Sequence, residues 1–61
     1  MSELIPQNAG RIKEQLRTVE FALKKINLAD DTEQDILDAL MIINKASYTA
    51  MLVVKQDIQE H

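Results

Sequence analysis

"NLADDTEQDI", residues 27–36, is the stretch that decides the fold of this 61-residue chain. Three neighbouring residues in it are plausible helix N-caps, and pairs within the stretch have the spacing of a capping box. The candidates are Asp30, Asp31 with Gln34, and Thr32 with Asp35. Because the apolar patterns on either side are separated by only a few residues, the stretch predicts a turn at about residues 29–31 between two antiparallel helices.

Before the turn, apolar residues recur in steps of four and three, the heptad pattern of a helix that packs along one seam. These residues are Ile5, Ala9, Ile12, Leu16, Val19, Leu23 and Ile26. Pro6 is suited to the first helical turn and Asn8 is a candidate N-cap. Lys24 and Lys25 suit the C-terminal end of the helix dipole. The pattern predicts helix 1 over about residues 7–28.

After the turn there is neither proline nor glycine, which predicts helix 2 over about residues 32–59. The positions expected to face helix 1 are Ile36, Leu40, Ile43, Ser47, Ala50 or Met51, Val54 and Ile58. A strand over residues 49–58 is an alternative, since Val53 and Val54 are β-branched, but no turn residue precedes it. The sequence therefore predicts an all-α fold, one antiparallel helical hairpin spanning residues 1–61.

Helix 2 contains two fully apolar runs, residues 40–43 and 51–54. Four consecutive residues cover about 300° of a helix, more than one partner helix can bury. Eleven residues make about three turns, so the second run repeats the faces of the first. A second apolar face is therefore predicted, and such a patch usually marks an interface. The residues assigned to it are Met41, Ile42, Met51, Leu52 and Val53.

The size of the chain also favours association. A chain this short buries only about 60% of its unfolded surface, and small domains usually rely on disulfides, a metal or oligomerisation. There is no cysteine, and the single histidine is His61. The prediction is a homodimer of hairpins forming a four-helix bundle, or docking of the second apolar face on a partner protein. Asn44, beside the seam, could fix the register of such a bundle or face solvent.

Charge is divided between the helices. Helix 1 carries a local net charge of +3, and the chain from Asp30 onward carries -5. Opposite signs favour docking of the two helices. The start of the chain has no basic segment leading into an apolar one, which predicts a cytoplasmic protein without a signal peptide. Asp38, Asn44 and Lys45 interrupt the apolar part of helix 2, so no membrane span is expected.

No residues suggest catalysis. The sequence offers no nucleophile paired with a base and no glycine-rich phosphate loop, so we expect a non-enzymatic protein with no catalytic residue and no cofactor. Asp31, Asp35 and Asp38 share one helical face but lack the glycine and alternating ligands of a calcium loop. Acids in a first helical turn complement the helix dipole, so no metal site is expected.

A second hypothesis is nucleic-acid binding by helix 1. Its basic residues could contact phosphates, and Phe21 could stack on a base if exposed. The possible contacts are Arg11, Lys13, Arg17, Lys24 and Lys25. Glu20 lies in the same stripe, however, and alternating signs are typical of a solvated face. In an acidic protein this makes nucleic acid a less favoured partner than protein.

"KKINLADDTEQDIL", residues 24–37, resembles in its capping residues the turn of the Rop family of plasmid copy-number regulators. The resemblance implies a hairpin that pairs into a four-helix bundle, and in that family the first helices bind paired RNA loops. The polar face of helix 1 does not reproduce the family's arrangement of lysine, asparagine, phenylalanine and glutamine, so the resemblance is applied to the fold only. The leading prediction remains a protein-protein interaction module, a small dimeric helical adaptor or regulator.

Overall fold

The computed structural model describes residues 4–60, with the side chains of residues 4–59, as two α-helices. Helix α1 is Pro6–Lys25 and helix α2 is Glu33–Glu60. The two helices pack against each other as an antiparallel hairpin with extents of 46 × 16 × 15 Å. The predicted all-α hairpin is confirmed. Residues 49–58 are helical throughout, so the strand alternative is wrong.

Helix α1 begins where proline predicts it. Pro6 occupies the first turn, where a missing N–H costs nothing, and Ile5 is the N-cap without a side-chain hydrogen bond. The expectation that Asn8 caps the helix is wrong, because Asn8 lies inside α1 and its amide Nδ2 donates to Asp57 Oδ1 at 2.9 Å. The helix start is thus held from across the hairpin.

The connection between the helices spans residues 26–32, which is longer than the expected turn at 29–31. Helix α1 ends at Lys25, three residues before the predicted 28, because Asn27 organises a tight turn. Its backbone N–H donates to Asp31 Oδ2 at 2.8 Å, and its side-chain Oδ1 accepts from the Ala29 N–H at 3.1 Å. Its carbonyl accepts from the N–H groups of Asp30 and Asp31.

Thr32 is the N-cap of α2. Its Oγ1 accepts a hydrogen bond from the Asp35 N–H at 3.1 Å, and its carbonyl accepts from the Ile36 N–H. A cap of this kind stabilises a helix by about 1 kcal/mol. Of the three predicted candidates, Asp30 and Asp31 instead bond to Asn27 and close the turn.

The helices meet along two seams of seven positions each, spaced in steps of three and four. All fourteen side chains are buried or half-buried. On α1 the seam, which begins at the N-cap and continues just past the helix end, is Ile5, Asn8, Ile12, Gln15, Val19, Ala22 and Ile26. On α2 it is Ile36, Ala39, Ile43, Ala46, Ala50, Val53 and Asp57. The seams hold several alanines, which lets the helix backbones approach closely.

The seams differ from the predicted ones in half of their positions. Four residues expected to face the other helix are more than a third exposed: Leu16, Leu23, Leu40 and Ile58. The expectation that Val53 stays on an outer face is also wrong, because it is 3% exposed within the single hairpin. Smaller side chains lie where the two helices approach most closely. The larger apolar side chains lie at the next position in the sequence, about 100° around each helix.

The open end of the hairpin is closed by Asp57. This carboxylate is 3% exposed, and its Oδ1 accepts hydrogen bonds from the Ile5 N–H at 3.0 Å and from Asn8 Nδ2. A negative charge at the N-terminal end of a helix is also stabilised by the helix dipole. Asp57 thus ties the C-terminal part of α2 to the start of α1.

Candidate interaction face

The most unusual feature of the hairpin is a set of large apolar side chains that immediately follow seam residues. Because each residue turns a helix by about 100°, all of them lie on the same side of their seam. Six are between 50% and 63% exposed: Leu16, Leu23, Leu37, Leu40, Met51 and Ile58. We call these six, with the half-buried Ala9, Ser47 and Val54, the apolar face.

The residues that precede seam residues lie on the other side and line an open groove of about 240 Å³. Thr18 of α1 and Ile42, Lys45 and Thr49 of α2 contribute to this groove. We call this side the groove face. Since the preceding residues of both helices share one face of the hairpin, the following residues of both helices share the opposite face. The apolar face is therefore one continuous surface built from α1 and α2.

Hydroxyl groups on the groove face bond within their own helix. Thr18 Oγ1 donates to the Glu14 carbonyl at 3.3 Å, and Thr49 Oγ1 donates to the Lys45 carbonyl at 3.0 Å. Tyr48, the other hydroxyl considered as a partner contact, is exposed on the outward side of α2. The groove thus has a more polar lining than the apolar face.

The structure does not bring the five predicted interface residues together. Met51 lies on the apolar face and Met41 points outward beside it, both exposed. Ile42 lines the groove, and Leu52, three positions after Thr49, lies on the same side. Val53 is inside the hairpin. The prediction of a second apolar face fits the exposure of α2. The predicted face is displaced from the observed one by about one residue, because the predicted inward seam of α2 is itself shifted by one residue at several positions.

The basic residues of α1 are distributed around the helix. Lys24 Nζ pairs with Glu20 Oε1 at 3.1 Å, and Lys25 Nζ lies 4.4 Å from the centroid of the Phe21 ring. Phe21 is exposed, as a base-stacking role would need, but a cation already covers its ring. Arg11, Lys13 and Arg17 are exposed. At about 100° per residue, Lys13, Arg17 and Lys24 lie along one side of α1, and Arg11 and Lys25 lie along another.

Among the side chains that the structure describes, no ion pair joins the two helices. Among residues 4–59 the only ion pair is between Lys24 and Glu20, within α1 and well exposed. The predicted docking by opposite charges is therefore not carried by direct salt bridges in the described part of the chain. A pair of this kind contributes little to stability.

The acidic residues near the turn are engaged separately. Asp31 accepts from the Asn27 N–H, and Asp38 Oδ1 accepts from Gln34 Nε2 at 2.8 Å. In the part of the chain that the structure describes, no three histidine, cysteine, aspartate or glutamate side chains are grouped so that they could hold a metal ion. His61 lies outside the described residues.

One described helical segment, Glu33–Gln59, is long and apolar enough to cross a membrane by length and composition alone. Only 11% of its most apolar window is buried inside the hairpin. The same exposed apolar side chains would suit a protein interface or a lipid environment.

The chain matches no protein-family model, no curated protein and no solved structure.

Sequence reasoning missed the apolar face because it assigned its leucines to the hairpin core. A signal was present in the heptads themselves. The seam of α2 contains three alanines, and four of its seven residues are followed directly in the sequence by leucine, methionine or isoleucine. Two parallel apolar rows on one helix are typical of a helix with two packing partners.

Proposed function

We propose that this chain is a non-enzymatic protein-protein interaction module that acts as a small dimeric adaptor or regulator. In this proposal two hairpins pair through their apolar faces and form a four-helix bundle. The observation that carries it is the continuous apolar face, on which six large side chains of one hairpin are half exposed or more. Apolar patches of this extent usually mark interaction sites in soluble proteins.

The surface area of the chain supports pairing. Its accessible surface is 5146 Å². A compact folded monomer of this size exposes about 4,000 Å², so the hairpin carries an excess of about 1,100 Å². A stable interface needs about 800 Å² from each partner. Burying the apolar face against a second hairpin would remove an area of the required size.

The charges of α2 favour pairing in water over a membrane span. Asp38 and Lys45 lie within its apolar segment, and each would cost several kcal/mol in hydrocarbon. Neither belongs to the apolar face, so a bundle leaves both in contact with solvent. This supports a cytoplasmic interaction module.

The rival hypothesis is a nucleic-acid-binding regulator that uses the basic residues of α1. The exposure of Phe21 and of Arg11, Lys13 and Arg17 is the observation in its favour. Against it, Lys24 is paired with Glu20 and Lys25 covers the Phe21 ring. Protein-protein pairing explains more of the exposed surface.

Sedimentation equilibrium over a range of concentrations tests the proposal. We expect a dimer at micromolar concentration with the helicity of two long helices, because the apolar face supplies an interface of sufficient area. A fully helical monomer throughout that range would contradict the proposal. Partition into neutral phospholipid vesicles, or a salt-sensitive shift of structured RNA that is lost in Arg17→Glu, would instead support one of the alternatives.

A further inference from the structure

The apolar face also carries information about how two copies are oriented. This inference rests on the proposed pairing and specifies its geometry. Two hairpins can pair face to face about a two-fold axis that runs parallel to the helices or perpendicular to them. The parallel axis places α1 beside α2 of the second copy. The perpendicular axis places α1 beside α1 of the second copy, and α2 beside α2.

The two outer edges of the apolar face differ in chemistry. Each edge is formed by the residues that follow every second seam position. On α1, Lys13 follows Ile12 and Glu20 follows Val19, and both are exposed. On α2, the corresponding edge is mostly apolar and consists of Leu37, Asn44, Met51 and Ile58. One edge of the face is therefore charged and the other is hydrophobic.

A perpendicular axis joins like edges and a parallel axis joins unlike edges. With the perpendicular axis, the apolar edge of α2 is buried against the same edge of the second copy. The charged edge of α1 meets the same edge of the second copy at the solvent boundary. The parallel axis leaves each residue at its own level along the helices, so Lys13 would lie beside the exposed Met51 of the second copy. Placing charged side chains against an apolar edge removes them from water without a partner, which is unfavourable.

The register of the hairpin adds a second argument. Gln15 and Ala46 line the same groove, so Leu16 and Ser47, which follow them, lie at about the same level of the two helices. A perpendicular axis at this level passes the middle of the apolar face on both helices. It brings Lys13 of one copy opposite Glu20 of the other, twice in the dimer. The charged edges are thus complementary under this symmetry.

We propose that two copies pair about a two-fold axis perpendicular to the helices, near Leu16 and Ser47, with Lys13 of each copy facing Glu20 of the other. The small Ser47 meets itself at the axis, and Leu40 packs near Val54 of the second copy. Opposite charges at the rim fix orientation more than affinity. The groove face, with Ile42 and Lys45, remains outside the bundle.

Directed cross-linking tests this orientation, and the absence of native cysteine makes it specific. Lys13→Cys and Glu20→Cys chains, one of them tagged, are mixed, refolded and treated with a short bis-maleimide reagent. We expect the mixed product between Cys at 13 and Cys at 20 to dominate over either homodimeric product. A dimer that instead links Lys13→Cys to Met51→Cys of another chain would overturn the perpendicular axis while leaving the pairing intact.

Charge exchange gives an independent readout in the same assembly. Lys13→Glu is expected to raise the dissociation constant of the dimer about three- to tenfold, and adding Glu20→Lys in the same chain should restore it. No restoration, with a dimer still present, would contradict the proposed contact. A monomeric wild-type chain would contradict the proposed function itself, so the two failures are distinguishable.

Discussion

Leu40→Asp is expected to raise the dissociation constant of the dimer at least about 100-fold. Leu40 is half exposed in the single hairpin and lies on the apolar face of α2, about two turns from Ser47. Pairing buries the rest of this side chain in both copies, worth about 1.5–3 kcal/mol together. The substitution also brings a carboxylate into each apolar interface, at a further cost of several kcal/mol. Each 1.4 kcal/mol corresponds to a factor of ten.

Leu52→Asp is the matched control. Leu52 belongs to the same helix, is similarly exposed, and lies on the groove face. Both substitutions carry the same helix-propensity cost, so their difference reports the position of the interface. We expect Leu52→Asp to leave the dissociation constant within about threefold, measured by sedimentation with circular dichroism as the check on helicity. Equal effects of the two variants, or a larger effect of Leu52→Asp, would place the interface elsewhere.

Asp57→Ala is expected to lower the free energy of unfolding by about 2–4 kcal/mol. The Asp57 carboxylate is buried and accepts hydrogen bonds from the Ile5 N–H and Asn8 Nδ2. Removing it leaves both donors at the start of α1 without this acceptor. It also removes a negative charge favoured by the helix dipole. Denaturant unfolding should be measured at one fixed protein concentration, since pairing is coupled to stability.

Asp57→Asn separates the hydrogen bonds from the charge. The asparagine side chain keeps a carbonyl oxygen at the same place, so the loss should be about half that of Asp57→Ala. Asn8→Ala removes one of the two bonds and should cost about 1 kcal/mol. If Asp57→Ala changed the unfolding free energy by less than about 0.5 kcal/mol, Asp57 would not hold the open end of the hairpin closed.

The sequence predicted the parts of the fold that depend on local chemistry. Pro6 marks the start of α1, Thr32 was among the candidate caps of α2, and the short polar link between long apolar patterns predicted the hairpin. The end of α1 was harder to predict from the sequence. Asn27 can continue a helix or turn it, and the outcome depends on hydrogen bonds to Asp30 and Asp31 from beyond the helix end.

The candidate site was predicted in kind but not in position. Apolar periodicity reports every apolar face of a helix together, so a helix with two packing surfaces has a pattern centred between them. The predicted seams through Leu16, Leu23 and Leu40 lie in this intermediate direction. The structure places the alanines inward and these leucines outward. The buried Asp57 could not be anticipated, because its partners lie about fifty residues away.

The most direct measurement of the central claim is an isotope-filtered nuclear Overhauser experiment on an equal mixture of methyl-labelled and unlabelled chains, which detects contacts only between copies. The apolar face as a dimer interface predicts intermolecular contacts at the methyl groups of Leu16, Leu40 and Met51, and none at Ile42 or Leu52. Intermolecular contacts confined to Ile42 and Leu52, or none at all in a folded chain, would contradict it.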